Sequence, residues 1–402
     1  MRILHAPRNI AGQASLMAGA QRRLGHEAEV WSSGESRFGF DADRVVPFGD
    51  AEAIDEVWRA LGEAVERFDV FHFHYGRSLF PGRARIPPLW DLPLLRALGK
   101  KVVVSFWGSD CRSGRVQQEV NPYAELLPSE VVGDRDDRLA KSIHVWRTYA
   151  NTMLVHSPEL LSYVPDATAV GRIFDLSEWP VGDPPDRETP VVLHMPSRRE
   201  LKGTDLVLAG VERLRRDGVA LDFRLVENVQ HDEAKKLLCE ADIVVDQLIA
   251  GDHGIVSVEA MASGRVAVAY LLPVVRAAYP DLPIHDASPD DFSERMRLLV
   301  EDRELRRRLG AAGRPFVERH FDAAEVGAQL IEIYSREGAA PHPDGFPDWA
   351  ALGGERQIER LQERVAKLLA DRARLRGRLD LESRQGGAGE SSLWRRLRRH
   401  LG

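Results

Sequence analysis

Residues 241–265 read ADIVVDQLIAGDHGIVSVEAMASGR. The β-branched run Ile243, Val244 and Val245 predicts a buried strand, closed by the polar pair Asp246 and Gln247. A loop holding Gly251 and Gly254 follows, and the stretch from Ser257 to Ala262 predicts the first turns of a helix. A glycine loop that feeds a helix aims free backbone N–H groups and the positive end of the helix dipole at whatever lies above the strand. That suits a phosphate or a sugar hydroxyl. Glu259 falls in the first turns, where a carboxylate accepts two hydroxyl hydrogen bonds from a ribose. The stretch reads as half of a nucleotide-sugar pocket.

The alternation around it is regular. Upstream, PVVLH (190–194) predicts a strand, Thr204 to Asp217 a helix with Gly218 as its stop, Phe223 to Val226 a strand, and His231 to Glu240 a helix. Downstream come a strand over Val266 to Leu272 and helices over Asp290 to Leu309 and Ala323 to Arg336. The first 170 residues repeat the pattern. Strands are expected at Arg2 to Ala6, Glu27 to Ser32, Phe68 to Phe73, Lys101 to Phe106 and Thr152 to His156. Helices are expected at Ala14 to Leu24, Val57 to Phe68 and Leu92 to Leu98. The fold class is therefore α/β, with two doubly wound Rossmann-like domains (1–170 and 190–336) facing a cleft. The Pro/Asp-rich residues 171–189 are the linker between them.

Ligands of such sheets sit beyond the carboxyl ends of the strands. In the second half that end carries HMPSRRELKGT (194–204), whose Arg198, Arg199 and Lys202 suit a departing diphosphate or make a solvated basic turn. Glu227, beyond the next strand, meets a nucleoside or is a surface carboxylate. In the first half, Gly12 either admits a diphosphate or sugar to the backbone or is a plain turn glycine. His72 and His74 share one strand face, as hydrogen-bonded core histidines or as catalytic groups. Asp110 is a candidate acid, base or sugar ligand, or else a turn cap. No G-x-G-x-x-G follows the first strand. The triplets Asp41-Ala42-Asp43 and Asp134-Arg135-Asp136 close no apolar strand and read as solvated loops, so no metal site and no cofactor is expected.

Composition narrows the class. The 402 residues carry a net charge of −7, but residues 355–402 hold 13 Lys and Arg against 7 Asp and Glu, leaving −13 on the rest. An acidic body argues against nucleic-acid binding. Two cysteines without paired spacing suggest neither a disulfide framework nor a zinc site. No apolar run approaches the roughly 20 residues that cross a bilayer, and MRILHAPRN has no signal-peptide pattern. A cytoplasmic protein is expected.

Taken in order, HMPSRRELKGTD, LVENVQHDEAKKLLCEADIVVDQL and GDHGIVSVEAMASGRVAV resemble the donor-binding half of glycosyltransferase family 4, enzymes of the GT-B fold. The opening ILHAPRNIAGQASLMAGAQRRLGHEAEVW is similar to that family's acceptor-side start, and the resemblance spans roughly residues 1–336. It implies a retaining, metal-independent transfer of a sugar from a nucleoside diphosphate to an acceptor that the sequence does not specify. Lys202 matches the family's diphosphate-binding lysine, Glu259 the second glutamate of its E-x7-E pair, Gly254 the donor-loop glycine and Gly12 the glycine of the N-terminal loop. The pattern departs at three places. The first glutamate falls on Gly251, with Asp252 and Asp246 nearby as substitutes. The arginine five residues before the lysine falls on Ser197, with Arg198 and Arg199 just beyond. The histidine after the fourth strand falls on Trp107. Asp110 and His74 are then expected as catalytic groups beside Lys202, and Gly12, Arg198, Arg199, Glu227, Asp252, Gly254, Ser257 and Glu259 as donor contacts.

The tail adds an expectation of its own. After a linker (337–354), Ile358, Leu361, Val365, Leu368, Leu375 and Leu379 fall on three- and four-residue steps within 355–385. They predict a coiled coil that makes a homodimer through 358–382, or a helix packed on its own body. In 391–402, Leu393, Trp394, Leu397 and Leu401 line one helical face with four arginines on the rest. That suits an anionic membrane surface at about 1 kcal/mol per basic residue, or a solvated end. The alternatives to a transferase are a catalytically silent GT-B subunit that scaffolds a partner enzyme, and a nucleotide-sugar epimerase.

Overall fold

The computed structural model describes residues 1–34, 40–48, 53–80, 88–128 and 135–336, all within one compact unit, Met1–Gly345. The linker 337–354, the expected coiled coil 355–385 with its dimer contacts 358–382, and the basic segment 391–402 lie outside the described residues.

The first half runs β1 (Arg2–Ala6), α1 (Gln13–Arg23), β2 (Glu27–Ser32), β3 (Arg44–Val45), α2 (Ile54–Arg67), β4 (Val70–His74), α3 (Asp91–Ala97), β5 (Lys101–Phe106), α4 (Gly114–Val120), α5 (Asp136–Tyr149), β6 (Thr152–Val155) and β7 (Thr168–Ala169). The second half runs β8 (Val191–His194), α6 (Arg199–Lys202), α7 (Thr204–Arg216), β9 (Asp222–Leu225), α8 (His231–Glu240), β10 (Ile243–Gln247), α9 (Ile255–Ala262), β11 (Val266–Ala269), α10 (Pro273–Ala278), β12 (His285–Asp286), α11 (Phe292–Glu301), α12 (Arg303–Phe321) and α13 (Ala323–Ser335). The strands form a seven-stranded sheet, β3-β2-β1-β4-β5-β6-β7, and a five-stranded sheet, β12-β11-β10-β8-β9, parallel throughout.

Strand order reverses between β1 and β4 in the first sheet and between β8 and β10 in the second. A crevice opens at such switch points because the flanking loops diverge to opposite faces. The loops after β1, β8 and β10 at these points carry Gly12, Lys202 and Gly254, and His74 is the last residue of β4.

The cores follow from the apolar periodicity. Val192, Ile243, Val245, Val266 and Val268 face α7 and α11, while Leu193, Val244 and Ala267 face the other side with α9 and α12. Strand β10 is buried along its whole length, the buried Asp246 and Gln247 included, and its first three residues are the apolar run Ile243–Val245. The linker is not loose: Phe174, Leu176 and Trp179 are buried in the second core. Helix α13, last in the described chain, packs on the first sheet, where Val326, Leu330, Ile333 and Tyr334 meet Ala14, Met17 and Ala18 of α1.

Several expected elements differ in extent. The single helix over Asp290 to Leu309 is two, because Asp302 adopts extended backbone and its side chain caps α12 by accepting from the Leu305 amide at 2.8 Å. The strand from Val266 stops at Ala269. The strand expected over Phe68 to Phe73 begins at Val70, since Phe68 still closes α2. Of the two acidic triplets, Asp43 pairs with Arg22 at 2.6 Å, and Asp136 accepts from the Gly114 and Arg115 amides and from Ser113. Asp134 lies outside the described residues.

Candidate active site

The strand-end residue Asp246 is 2% exposed, and both of its oxygens are engaged. Lys202 Nζ donates to Oδ1 at 2.6 Å, and the Gly254 amide and Ser257 Oγ donate to Oδ2 at 2.6 and 2.7 Å. Burial pushes this carboxyl up, but the Lys202 ammonium and the Ser257 and Gly254 bonds outweigh that and hold it below the ordinary range. Lys202 Nζ also reaches Gln247 Oε1 at 3.3 Å. Two ammonium hydrogens are thereby used, and the third has no acceptor among the described residues.

Lys202 lines a cleft of about 340 Å³ together with Met195, Val226, Glu227, His231 and Glu259 of the second half, and Ala11 and Phe40 of the first. Glu259 is 8% exposed, and its carboxyl is pushed up to about 7 by burial and by the nearby Asp246 carboxylate, against Lys235 and Lys202. Ile255 and Val256, which open α9, line the same cleft, and first-turn amides have no intrahelical acceptor. A cation, the start of a helix and a desolvated carboxyl thus share one crevice. This set matches the charge pattern of a diphosphate next to a diol.

Several predicted residues sit elsewhere. The Gly254 amide and Ser257 are consumed by Asp246 and do not face the cleft as open donors. Arg199 and Glu227 pair with each other at the rim (Nε to Oε1, 2.9 Å), so neither is an independent charge; Arg198 is exposed and also has a partner. Asp252 is drawn to Arg172 at 2.9 Å and lies beside the His253 ring. It does not take the place of the missing first glutamate. Gly251 itself cannot be glutamate at this geometry: its φ is +81°, and a Cβ would fall 2.6 Å from Leu272 Cγ. Gly12 is buried next to the site and does not line it. It caps α1 beside Ala11, against the Phe40 ring that walls the cleft.

The two first-half candidates are turned inward. Asp110 accepts from the Trp107 amide at 3.0 Å and the Gly108 amide at 2.7 Å. It holds its own turn, with burial pushing its carboxyl up to about 6. His74 is 1% exposed and belongs to a buried chain that the sequence did not reveal. The Gln21 amide donates to Tyr334 Oη, leaving that hydroxyl to donate to His72 Nδ1. His72 Nε2–H then meets Ser105 Oγ, which passes its proton toward His156 Nε2. On the other side His5 Nε2 donates to Gln21 Oε1, and His74 Nε2 donates to His5 Nδ1 at 3.0 Å. Burial lowers all four histidines, His5 to about 4 and His156 to about 3, so they are neutral at pH 7. His5, His72 and His74 bring ring nitrogens within 4.8 Å of one another, but five of those six nitrogens already have protein partners. The set reads as a hydrogen-bonded core. Trp107 stacks on His156, rings 4.0 Å apart, and covers its end.

A second depression, about 600 Å³, lies at the amino ends of β1 and β2 among Arg2, Arg22, Glu29, Asp43 and Arg67. It is at the wrong end of the strands for a ligand of this fold, and its charges pair with one another.

Sequence reading missed Ala11, Phe40, Met195 and His231 as cleft walls, and treated Asp246 only as a stand-in for the missing glutamate. A polar residue ending a wholly apolar strand was the one available signal for Asp246. Gly254 yields a direct test of the Asp246 corner. A Cβ there would stand 2.4 Å from Asp246 Oδ2 and 2.9 Å from Lys202 Nζ. Gly254→Ala is expected to disrupt this buried pair at a cost of about 3 kcal/mol, read as a lowered urea midpoint; a variant within about 0.5 kcal/mol of the parent would contradict the packing described.

Neither a protein-family model nor a curated protein sequence matches the chain. Solved structures do. Sucrose-phosphate synthase from Thermosynechococcus elongatus superposes with a TM-score of 0.60 at 15% identity, covering 83% of this chain and 98% of that one. The catalytic domain of starch synthase IV from Arabidopsis thaliana, solved with ADP and acarbose, gives 0.58 at 12% identity over 84% and 99%. HepE of Anabaena, solved with UDP, gives 0.53 at 14% over 83% and 100%. The likeness spans nearly the whole of each of these proteins and defines the class of fold. This chain has the GT-B architecture.

Proposed function

We propose that the protein is a glycosyltransferase that binds a nucleoside diphosphate sugar in the cleft of Lys202 and Glu259 and transfers the sugar with retention of configuration. The observation that carries this reading is the placement of those two side chains in one crevice at the β8/β10 switch point, walled from the first half by Ala11 and Phe40. The structural neighbours solved with UDP and ADP share this architecture, which supports a nucleotide there.

In this reading Glu259, as the carboxylate, accepts from the two ribose hydroxyls. The third Lys202 hydrogen and the Ile255 and Val256 amides meet the diphosphate. The bond from the anomeric carbon to the diphosphate oxygen breaks as charge grows on that oxygen, where Lys202 stabilises it. The acceptor oxygen bonds to the same face, and its proton passes to the departing diphosphate. No metal cofactor enters this scheme: the donors to the diphosphate are the third Lys202 hydrogen and the helix end.

A second reading, a binding subunit without activity, is favoured by one observation: Asp110 and His74 are both committed to internal hydrogen bonds. Nothing comparable favours an epimerase. Dimerisation through 358–382 and contact of 391–402 with an anionic membrane belong to the same proposal. No helix among the described residues is long and apolar enough to cross a membrane.

The test is proton NMR of the full-length protein incubated with UDP-, ADP-, GDP- and TDP-glucose. Transfer or slow hydrolysis that yields the α-product from an α-donor is expected, with Lys202→Ala slower by about 100-fold. Inverted product would contradict retention, and no turnover with nucleotide bound would favour the silent subunit.

A further inference from the structure

We propose that Asp246 is the positioning residue of this corner: it clamps Lys202 and the amino end of α9 in one arrangement and leaves the ligand to the remaining Lys202 hydrogen and the amides beyond Gly254. The inference rests on the nucleotide reading of the cleft and adds to it how the anion is recognised. Asp246 does not line the cleft and is 2% exposed, so it touches no ligand. Its three partners come from two separate segments, Lys202 on α6 and the amino end of α9 with Gly254 and Ser257, and all three donate within 2.7 Å. With Gln247 on a second ammonium hydrogen, the direction of the third is set by tetrahedral geometry. Gly254 has room only for hydrogen at this point of contact.

The consequence is a charge-balanced corner before any ligand arrives. The phosphates meet an aimed donor set, not an unpaired cation, so a ligand is selected by fit as much as by charge. The clamp also sets the field on Glu259. The titratable groups around that carboxyl are Asp246, Lys202 on α6, Lys235 and His231 on α8, and Glu227 beyond β9. Removing the Asp246 charge leaves the lysines to favour the Glu259 carboxylate.

Two variants of the full chain, Asp246→Asn and Ser257→Ala, separate this from a structural role. Each is titrated calorimetrically with UDP, ADP, GDP and TDP, and the Glu259 carboxyl is followed by carbon NMR against pH without ligand. Asp246→Asn is expected to weaken the nucleotide that binds the parent by about 10-fold or more, the scale of one charge-assisted hydrogen bond. It should also move the Glu259 midpoint downward. Ser257→Ala, which keeps the charge, is expected to weaken binding about 3-fold and leave the midpoint in place. Parent affinity and an unmoved midpoint in Asp246→Asn would overturn the proposal. Should that variant not fold, parent affinity in Ser257→Ala would do so. If the parent binds none of the four nucleotides, the nucleotide reading fails by itself, and the ligand-free midpoint still decides whether Asp246 governs Glu259.

Discussion

Glu259→Gln is expected to make the ligand-free protein more stable at pH 8 by about 3 kcal/mol while removing most of its affinity for nucleotide. Burial and the Asp246 carboxylate raise the Glu259 carboxyl from 4.5 to about 7. A group whose folded value is raised favours the fold fully below its unfolded value, near pH 4.5, and loses that contribution as pH climbs through 7. The parent therefore carries a penalty at pH 8 that glutamine lacks, and the two proteins should converge in stability near pH 4. Urea denaturation at pH 4.5, 6, 7 and 8 reads the divergence. A variant less stable than the parent at pH 8 would mean that Glu259 is already satisfied in the ligand-free fold. Strain of this kind marks a group placed for a ligand, which in the proposed function offers two hydroxyls.

The second large effect belongs to the Lys202–Asp246 pair. Lys202→Met leaves a carboxylate 2% exposed with no cation, which costs about 3–5 kcal/mol. Asp246→Asn alone also destabilises, since its amide turns a donor toward either Lys202 or the Gly254 amide. The double variant Lys202→Met/Asp246→Asn should recover at least about 1.5 kcal/mol relative to the sum of the single losses, because no buried charge remains. Additive losses would show that the two groups are not coupled as the 2.6 Å contact implies.

Much of the scaffold was legible in the sequence because period-two apolar strands, amphipathic helices and glycine stops are local signals. The β8–α7 and β10–α9 units were placed by pattern, with Glu259 on α9 and Lys202 in what read as the turn between β8 and α7 and is the short helix α6. What escaped was set by tertiary partners. The commitment of Asp252 to Arg172 and of His74 to His5 depends on segments distant in the chain, while Asp110 closes its own turn on the Trp107 and Gly108 amides, the local alternative that its position already offered. The cleft wall of Ala11 and Phe40 comes from two connections, after β1 and after β2, with no periodicity to read. The break at Asp302 is an ordinary N-cap that the apolar pattern runs across, and the docking of α13 on the first sheet follows from Tyr334 finding His72 and Gln21.

The cleft of Lys202 and Glu259 is proposed to hold a nucleoside diphosphate. Thermal unfolding of the full-length protein with UDP, GDP, ADP and TDP, each with and without a glucosyl group, tests it most directly. One nucleotide family is expected to stabilise the protein by about 2.7 kcal/mol at a hundredfold excess over its dissociation constant, and Lys202→Ala should abolish the shift. No shift with any of the four at millimolar concentration, or an equal shift in Lys202→Ala, would contradict it.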